Sequence, residues 1–245
     1  STNSGIYIGR NAGQGVENYS GGNIAIGYLS GTSFMSTSDN NVFVGHQSGR
    51  YATGSNNTFI GEQAGLGGTT SAPYSSGQYN VALGAEALKD FTTATGNTAI
   101  GYQAGDSITT SGYNALVGYE AGQALQGGGG LNVAIGYQPL YLGSGNGNSI
   151  AIGTRAGYNS QASNNVYVGS SAGRENRAGI GQVYIGSQAG YYTTGSYNTF
   201  VGQDAGLGGQ TSAPYSSGQY NTAIGYTALA GFTTATRVVA FGYNA

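Results

Sequence analysis

A unit of the form Asn-x-(Ala/Phe/Tyr)-(Ile/Val)-Gly-x-x-(Ala/Ser)-Gly recurs, with variations, fourteen times in this chain of 245 residues. The first glycine of each unit, taken here as position 0, lies at 9, 27, 45, 61, 84, 101, 118, 136, 153, 169, 186, 202, 225 and 242. Most intervals are 16 to 18 residues long and two are 23. A fixed short period predicts a solenoid, in which each unit forms one coil of backbone.

The three residues before each glycine have the composition of a short strand. Position −1 is apolar in every unit, and position −3 is Ile, Val, Thr or Ala. These two positions share one face of an extended strand, and β-branched residues pack well when parallel strands stack about 4.8 Å apart. The pattern predicts an all-β parallel solenoid of about fourteen coils. We expect positions −1 and −3 to point into its interior.

Two further columns predict how the coils turn and stack. Position −4 is Asn in ten of the fourteen units, and stacked Asn side chains can bond one another as a ladder. Glycines at positions 0 and +4 bracket a small residue at +3, which indicates a tight corner. These residues therefore have structural tasks, and a row of polar ligands or a phosphate-binding loop is not indicated.

Position −2 is also apolar, although the prediction above places it outside the solenoid. Tyr occurs at +1 in most units where −2 is small, as in Ala99 with Tyr102, and is absent where −2 is aromatic, as in Phe43 with His46. Ala82 with Ala85 and Ala151 with Thr154 are exceptions. One ring per coil would then fill a groove shared with another copy of the chain. The pattern predicts a homo-oligomer whose interface includes Phe43, Phe59, Tyr102, Tyr119, Tyr137, Tyr167, Tyr184 and Phe200.

The two long intervals lie inside a longer repeat, because residues 58–80 are nearly repeated at 199–221. The extra residues predict loop insertions at 66–80 and 207–221, and insertions in solenoid coils often form a binding face. The candidate receptor contacts are Tyr74, Tyr79, Tyr215 and Tyr220. The near identity of the loops also fits a duplicated spacer. Because no linker or change of composition interrupts the chain, we expect one domain over residues 1–245.

Composition narrows the functional classes. Charged residues make up 7% of the chain, against about 25% in an average domain. The net charge of −2 comes from scattered residues, so no basic stripe predicts nucleic-acid binding, and no apolar run is long enough to insert in a membrane. The single His46 and the scattered carboxylates predict neither catalysis nor a metal or other cofactor. Low charge favours a repetitive surface structure outside the cell, and we expect no enzyme.

The unit resembles known fibre repeats. Asn97 to Gly105 and Thr193 to Gly202 resemble the head repeats of trimeric autotransporter adhesins (YadA-like heads), and still more the repeats of phage tail fibres found upstream of endosialidase-type chaperone domains. The resemblance covers nearly the whole chain. It implies a homotrimer of left-handed parallel β-rolls, and an extracellular fibre on a virion or cell surface that binds a glycan or protein receptor. Two alternatives remain open: an ice-binding solenoid and a self-assembling extracellular filament subunit.

Overall fold

The computed structural model describes residues 4–15, 21–34, 38–68, 74–126, 130–145, 147–209 and 215–245. These residues contain strands, turns and bends but no helix. All strands have three residues and run parallel, which confirms an all-β solenoid. They are Ile6–Ile8 (β1), Ile24–Ile26 (β2), Val42–Val44 (β3), Thr58–Ile60 (β4), Val81–Leu83 (β5), Thr98–Ile100 (β6), Ala115–Val117 (β7), Val133–Ile135 (β8), Ile150–Ile152 (β9), Val166–Val168 (β10), Val183–Ile185 (β11), Thr199–Val201 (β12), Thr222–Ile224 (β13) and Val239–Phe241 (β14).

The chain divides into two compact units. The first, Ser1–Gly127, contains β1 to β7, and the second, Gly128–Ala245, contains β8 to β14. Within each unit a strand pairs with the next one along the chain, and equal positions of the repeat are partners. Each column of the repeat therefore becomes a column of stacked side chains.

The strands turn the opposite face inward from the one that we predicted. Position −2 is buried in nearly every coil, and Phe43, Phe59 and Phe200 are completely inaccessible. Positions −1 and −3 lie on the outside, and Ile60 and Leu83 are 38% and 44% exposed. The predicted direction was wrong because a strand of three residues contributes one inward side chain, and that residue is the central one.

In most coils the interior is filled by a pair of positions with complementary sizes. Where position −2 is small, position +7 is usually large, as in Ala25 with Phe34 and Ala82 with Phe91. Two coils are exceptions, namely those with Ala134 and Gly143 and with Ala151 and Ser160. Where position −2 is aromatic, position +7 is small; examples are Phe43 with Ala52 and Tyr184 with Thr193. Further pairs of the first kind are Ala99 with Ile108 and Ala223 with Phe232. This exchange across the interior keeps its volume nearly constant, as close packing requires.

Stacked rings form the centre of each unit. In the first unit Phe43 lies on Phe59 with centroids 5.0 Å apart, and the edge of Phe91 meets Phe59 at 5.4 Å. In the second unit the ring of Tyr184 lies on Phe200 with centroids 5.0 Å apart. Aromatic pairs of this kind stabilise a protein by about 0.5–1.5 kcal/mol beyond the burial of their area.

The corner after each strand depends on glycine at position 0. Gly61 has a φ of +138°, and a Cβ built on it would overlap the carbonyl of Gly84 in the next coil. Glycine is thus required both for the backbone angle and for the close approach of successive coils.

The predicted asparagine ladder is confirmed. The backbone N–H of Asn41 donates to Oδ1 of Asn23 (2.9 Å), and that of Asn57 donates to Oδ1 of Asn41 in turn (2.9 Å). In the second unit Gln182 takes the place of an asparagine, because its backbone N–H and side chain make the same bonds to Asn165 and Asn198. Buried amides therefore satisfy the backbone where it turns into each strand.

Candidate interaction surfaces

Positions −3 and −1 form an apolar band on the outside of each unit, which we call the outer strip. In the first unit it includes Ile60, Val81 and Leu83, and in the second Ile135, Ile150, Ile152 and Ile185, all of which are at least 38% exposed. Position −1 is apolar in all fourteen repeats, so no charged side chain interrupts that column. A repeated, partly exposed apolar surface of this kind is a candidate interaction site.

Exposed rings at position +1 form short stacks. This position follows the outer-strip residue at −1 by two residues along the chain. Tyr102 stacks on Tyr119 with centroids 5.3 Å apart, and Tyr226 stacks on Tyr243 at 5.4 Å. Tyr28 stacks on His46, whose Nδ1 lies 3.5 Å from Oε1 of Glu62. His46 is therefore part of an exposed stack and lies beside a carboxylate.

The residues predicted for an oligomer interface fall on two different surfaces. The rings of Phe43, Phe59, Tyr167, Tyr184 and Phe200 lie inside their own coils and are unavailable to another molecule. Tyr102, Tyr119 and Tyr137 are exposed on the outside. Buried and exposed rings cannot fill the same groove. The prediction that each coil contributes one ring, from position −2 or position +1, to a shared groove was therefore wrong. The sequence itself contains the exchange between positions −2 and +7, for example in Ala25 with Phe34 and Phe43 with Ala52.

Position −5 carries exposed aromatic residues in an unfavourable backbone conformation. Tyr79, Tyr113, Tyr197 and Tyr220 have φ between 58° and 59°, in the left-handed region that favours Gly and Asn. Asn occupies the same position at Asn40, Asn56, Asn148 and Asn164. Tyr79 and Tyr220 were predicted as contacts, whereas Tyr113 and Tyr197 were missed. The signal for the missed pair was an aromatic residue directly before the asparagine ladder.

The predicted insertions at 66–80 and 207–221 are anchored to the coils at both ends. Residues 69–73 and 210–214 lie outside the described residues. Tyr74 stacks on Tyr51 with centroids 6.0 Å apart, and Tyr215 stacks on Tyr192 at 5.7 Å. The next residue, Ser75, is buried, and its hydroxyl donates to the carbonyl of Phe91 (2.6 Å). The ends of these segments are therefore part of the solenoid wall.

Charged side chains gather at one place in the first unit. Nζ of Lys89 lies 3.3 Å from Oε2 of Glu86 and 3.7 Å from Oδ1 of Asp106. Burial raises the pKa of Asp106 to about 6, although Lys89 acts in the opposite direction. Within the described residues no group of three or more His, Cys, Asp or Glu side chains could hold a metal ion. The same part of the chain has no helix that is long and apolar enough to cross a membrane.

No protein family, curated protein or solved structure matches this chain.

Proposed function

We propose that this protein is a structural and adhesive fibre segment, in which three copies associate through their outer strips and present tyrosine-rich surfaces to a receptor. The observation that carries the proposal is the exposure of apolar residues on the outside of coils whose interiors are already filled. The order of three comes from the resemblance to fibre repeats. An extracellular place, on a virion or a cell surface, belongs to the same proposal.

The outer strip suits another copy of the same chain better than an unrelated partner. It repeats in every coil with the same register and the same kinds of side chain. A second solenoid with the same spacing can match it residue for residue, whereas a globular partner offers no such period. Burying a half-exposed Ile or Val stabilises an interface by about 1 kcal/mol, so a few coils suffice for a stable association.

The surrounding surface supports the adhesive part of the proposal. Tyrosine is enriched at interfaces because its ring is apolar and its hydroxyl can bond a partner. The chain has 21 Tyr, and many of them lie in exposed stacks at positions +1 and −5. A rod that served only as a spacer would not need exposed aromatic rings in left-handed conformations.

No observation favours ice binding. Such a surface needs a regular row of Thr, but position −3 is Thr in four repeats only, namely Thr58, Thr98, Thr199 and Thr222. The other outward residues of the strands are mostly Ile and Val.

Charge substitutions in the outer strip test the association. Ile100→Lys with Val117→Lys places two charges at position −1 of adjacent coils, where burial of each would cost several kcal/mol. The matched control is Thr93→Lys with Thr110→Lys, which adds the same charge at two exposed residues outside the strip. By sedimentation velocity, we expect the strip variant to fall to a lower mass and the control to keep the parent mass.

Equal masses for the parent chain and both variants would contradict the proposed interface. The adhesive part of the proposal is tested separately, by measuring whether the fluorescently labelled parent chain binds to the surface of candidate host cells. A chain that associates but binds no surface would be a structural segment without an adhesive role.

A further inference from the structure

Two tyrosines and an arginine form an exposed column in the second unit, which we call the 197–237 column. Tyr197 and Tyr220 lie at position −5 of successive coils and stack with centroids 5.2 Å apart and ring planes 12° apart. Arg237 follows at position −5 of the next coil, with its Cζ 5.8 Å from the centre of the Tyr220 ring. At the other end, Tyr197 covers Gly181, where a Cβ would lie 2.8 Å from Cδ1 of the ring.

All three side chains of the column are placed by backbone that is unfavourable for them. The φ angles are 59° at Tyr197, 58° at Tyr220 and 61° at Arg237. Asn adopts this conformation more readily and occupies the position in four other coils. The coil imposes a positive φ at position −5 whatever residue stands there, as Leu131 also shows (φ 67°), so a Tyr at this position is less favourable than Asn or Gly would be. The tyrosines are about half exposed, so burial does not explain their presence.

The stack leaves ring surface free. Centroids 5.2 Å apart with nearly parallel planes describe an offset stack, in which each ring covers only part of its neighbour. About half of each side chain remains open to solvent, since Tyr197 is 47% and Tyr220 is 51% exposed.

Polar groups flank these rings in the sequence. Position −6 holds Ser196, Gln219 and Thr236. Within the described residues the guanidinium of Arg237 has no carboxylate partner. Aromatic surface among hydroxyl, amide and guanidinium groups suits a ligand that has an apolar face and many hydroxyls.

We propose that the 197–237 column binds a saccharide. The C–H face of a pyranose would lie on the free surface of Tyr197 and Tyr220, and its hydroxyls, or the carboxylate of an acidic sugar, would accept hydrogen bonds from Arg237. The proposal rests on the adhesive role proposed above and names the chemical class of the receptor.

The first unit provides a matched control for this site. Tyr79 occupies the position that corresponds to Tyr220, with the same φ of 58°. Its neighbours at position −5 are Asn56 and Gly96, so it has neither a stacked tyrosine nor an arginine beside it. A single exposed ring should contribute little to saccharide binding.

The test uses the fluorescently labelled full chain on an array of hexose, N-acetylhexosamine, deoxyhexose and uronate oligosaccharides, followed by titration with the oligosaccharide that binds most strongly. The variant Tyr197→Asn with Tyr220→Asn places at both positions the residue that other coils use. We expect its Kd to rise at least tenfold and its melting temperature to stay level or rise. Tyr79→Asn should change the Kd less than twofold.

Three results would overturn the saccharide site. They are binding to no oligosaccharide of the array, unchanged affinity of the double variant, and an equal loss of affinity in Tyr79→Asn. A parent chain that associates but binds no oligosaccharide would remove this site and leave the proposed association intact. A monomeric chain that binds through Tyr197 and Tyr220 would do the reverse.

Discussion

Residues 58–80 and 199–221 are nearly identical, and their interiors are built in the same way. Phe59 and Phe200 each stack on the ring of the preceding coil, with centroids 5.0 Å apart. Each also meets the edge of a following ring, at interplanar angles of 67° and 68°. The hydroxyls of Ser75 and Ser216 bond the corresponding carbonyls of Phe91 and Phe232.

The outer surroundings of the two segments differ. At position −5 Tyr79 lies between Asn56 and Gly96, whereas Tyr220 lies between Tyr197 and Arg237. The guanidinium of Arg177 lies over Tyr215, with its Cζ 5.7 Å from the ring centre. Packing keeps the interiors of these two segments alike, whereas their exteriors differ. The exterior is therefore where a difference in function should be sought.

The largest effect should come from the corner glycines and be the same in both segments. In Gly61→Ala and Gly202→Ala the new Cβ would overlap the backbone of the next coil, and φ would be unfavourable for Ala. We expect each to lower the free energy of unfolding by about 3 kcal/mol or more. Gly231→Ala is the control, because nothing lies within 4 Å of a Cβ built there. Denaturant unfolding measures all three, and a large difference between Gly61→Ala and Gly202→Ala would break the likeness of the interiors.

A pH-dependent effect between about pH 4 and 6 should occur at Asp106 in the first unit. The pKa of Asp106 is about 6, above its value in an unfolded chain, so the folded state binds more protons between about pH 4 and 6. Stability should therefore fall as pH rises through that range. Asp106→Asn should be about 2 kcal/mol more stable than the parent at pH 7 and equal to it near pH 3. A parent and a variant whose melting temperatures respond identically to pH would contradict this assignment.

The hydroxyl of Tyr184 distinguishes one coil of the second unit from the corresponding coil of the first unit. Tyr184 corresponds to Phe43, and within the described residues its buried Oη makes no hydrogen bond of normal geometry, although Asn198 and Thr193 lie close enough to oppose the rise that burial causes in its pKa. Tyr184→Phe should therefore be neutral or stabilise by about 1 kcal/mol. Tyr167→Phe should cost about 1 kcal/mol, because that Oη lies 3.2 Å from Oγ of Ser160 and accepts from Nδ2 of Asn176 at 2.6 Å. Thermal unfolding should show a loss of stability for Tyr167→Phe and no loss for Tyr184→Phe. Equal losses of stability in the two variants would contradict this prediction.

The smallest effect should distinguish the two loop tyrosines. Arg177 lies over Tyr215, so a double-mutant cycle with Arg177→Gln and Tyr215→Leu should give a coupling of about 0.5 kcal/mol. The same cycle with Arg177→Gln and Tyr74→Leu should give none. Chemical denaturation of the single and double variants supplies both values, and equal couplings would remove the difference between the loops.

The architecture could be predicted from the sequence because the same types of residue recur at the same positions of each repeat. The glycines, the asparagine ladder and the strand positions recur in fixed register, so the coil and its stacking followed directly. The direction of the strands did not follow, because positions −1, −2 and −3 are all apolar and hydropathy alone does not distinguish inside from outside. The pairs Ala25 with Phe34 and Phe43 with Ala52 contain that information, but it lies in the relation between two distant columns.

The candidate surfaces were predictable only in part. Tyr79 and Tyr220 were found because the long intervals drew attention to them. Tyr197 and Arg237 belong to coils of ordinary length, and their significance depends on backbone angles and on their stacking with Tyr220. A sequence gives the spacing of such residues along the chain, but the left-handed backbone that exposes them becomes visible only in the structure.

The mass of the intact chain in solution tests most directly whether the outer strip is an interface between copies. Sedimentation equilibrium at micromolar concentration should give three times the chain mass of 24.6 kDa. A mass of one chain across the whole concentration range would contradict the proposed association, because the outer strip would then stay exposed to water.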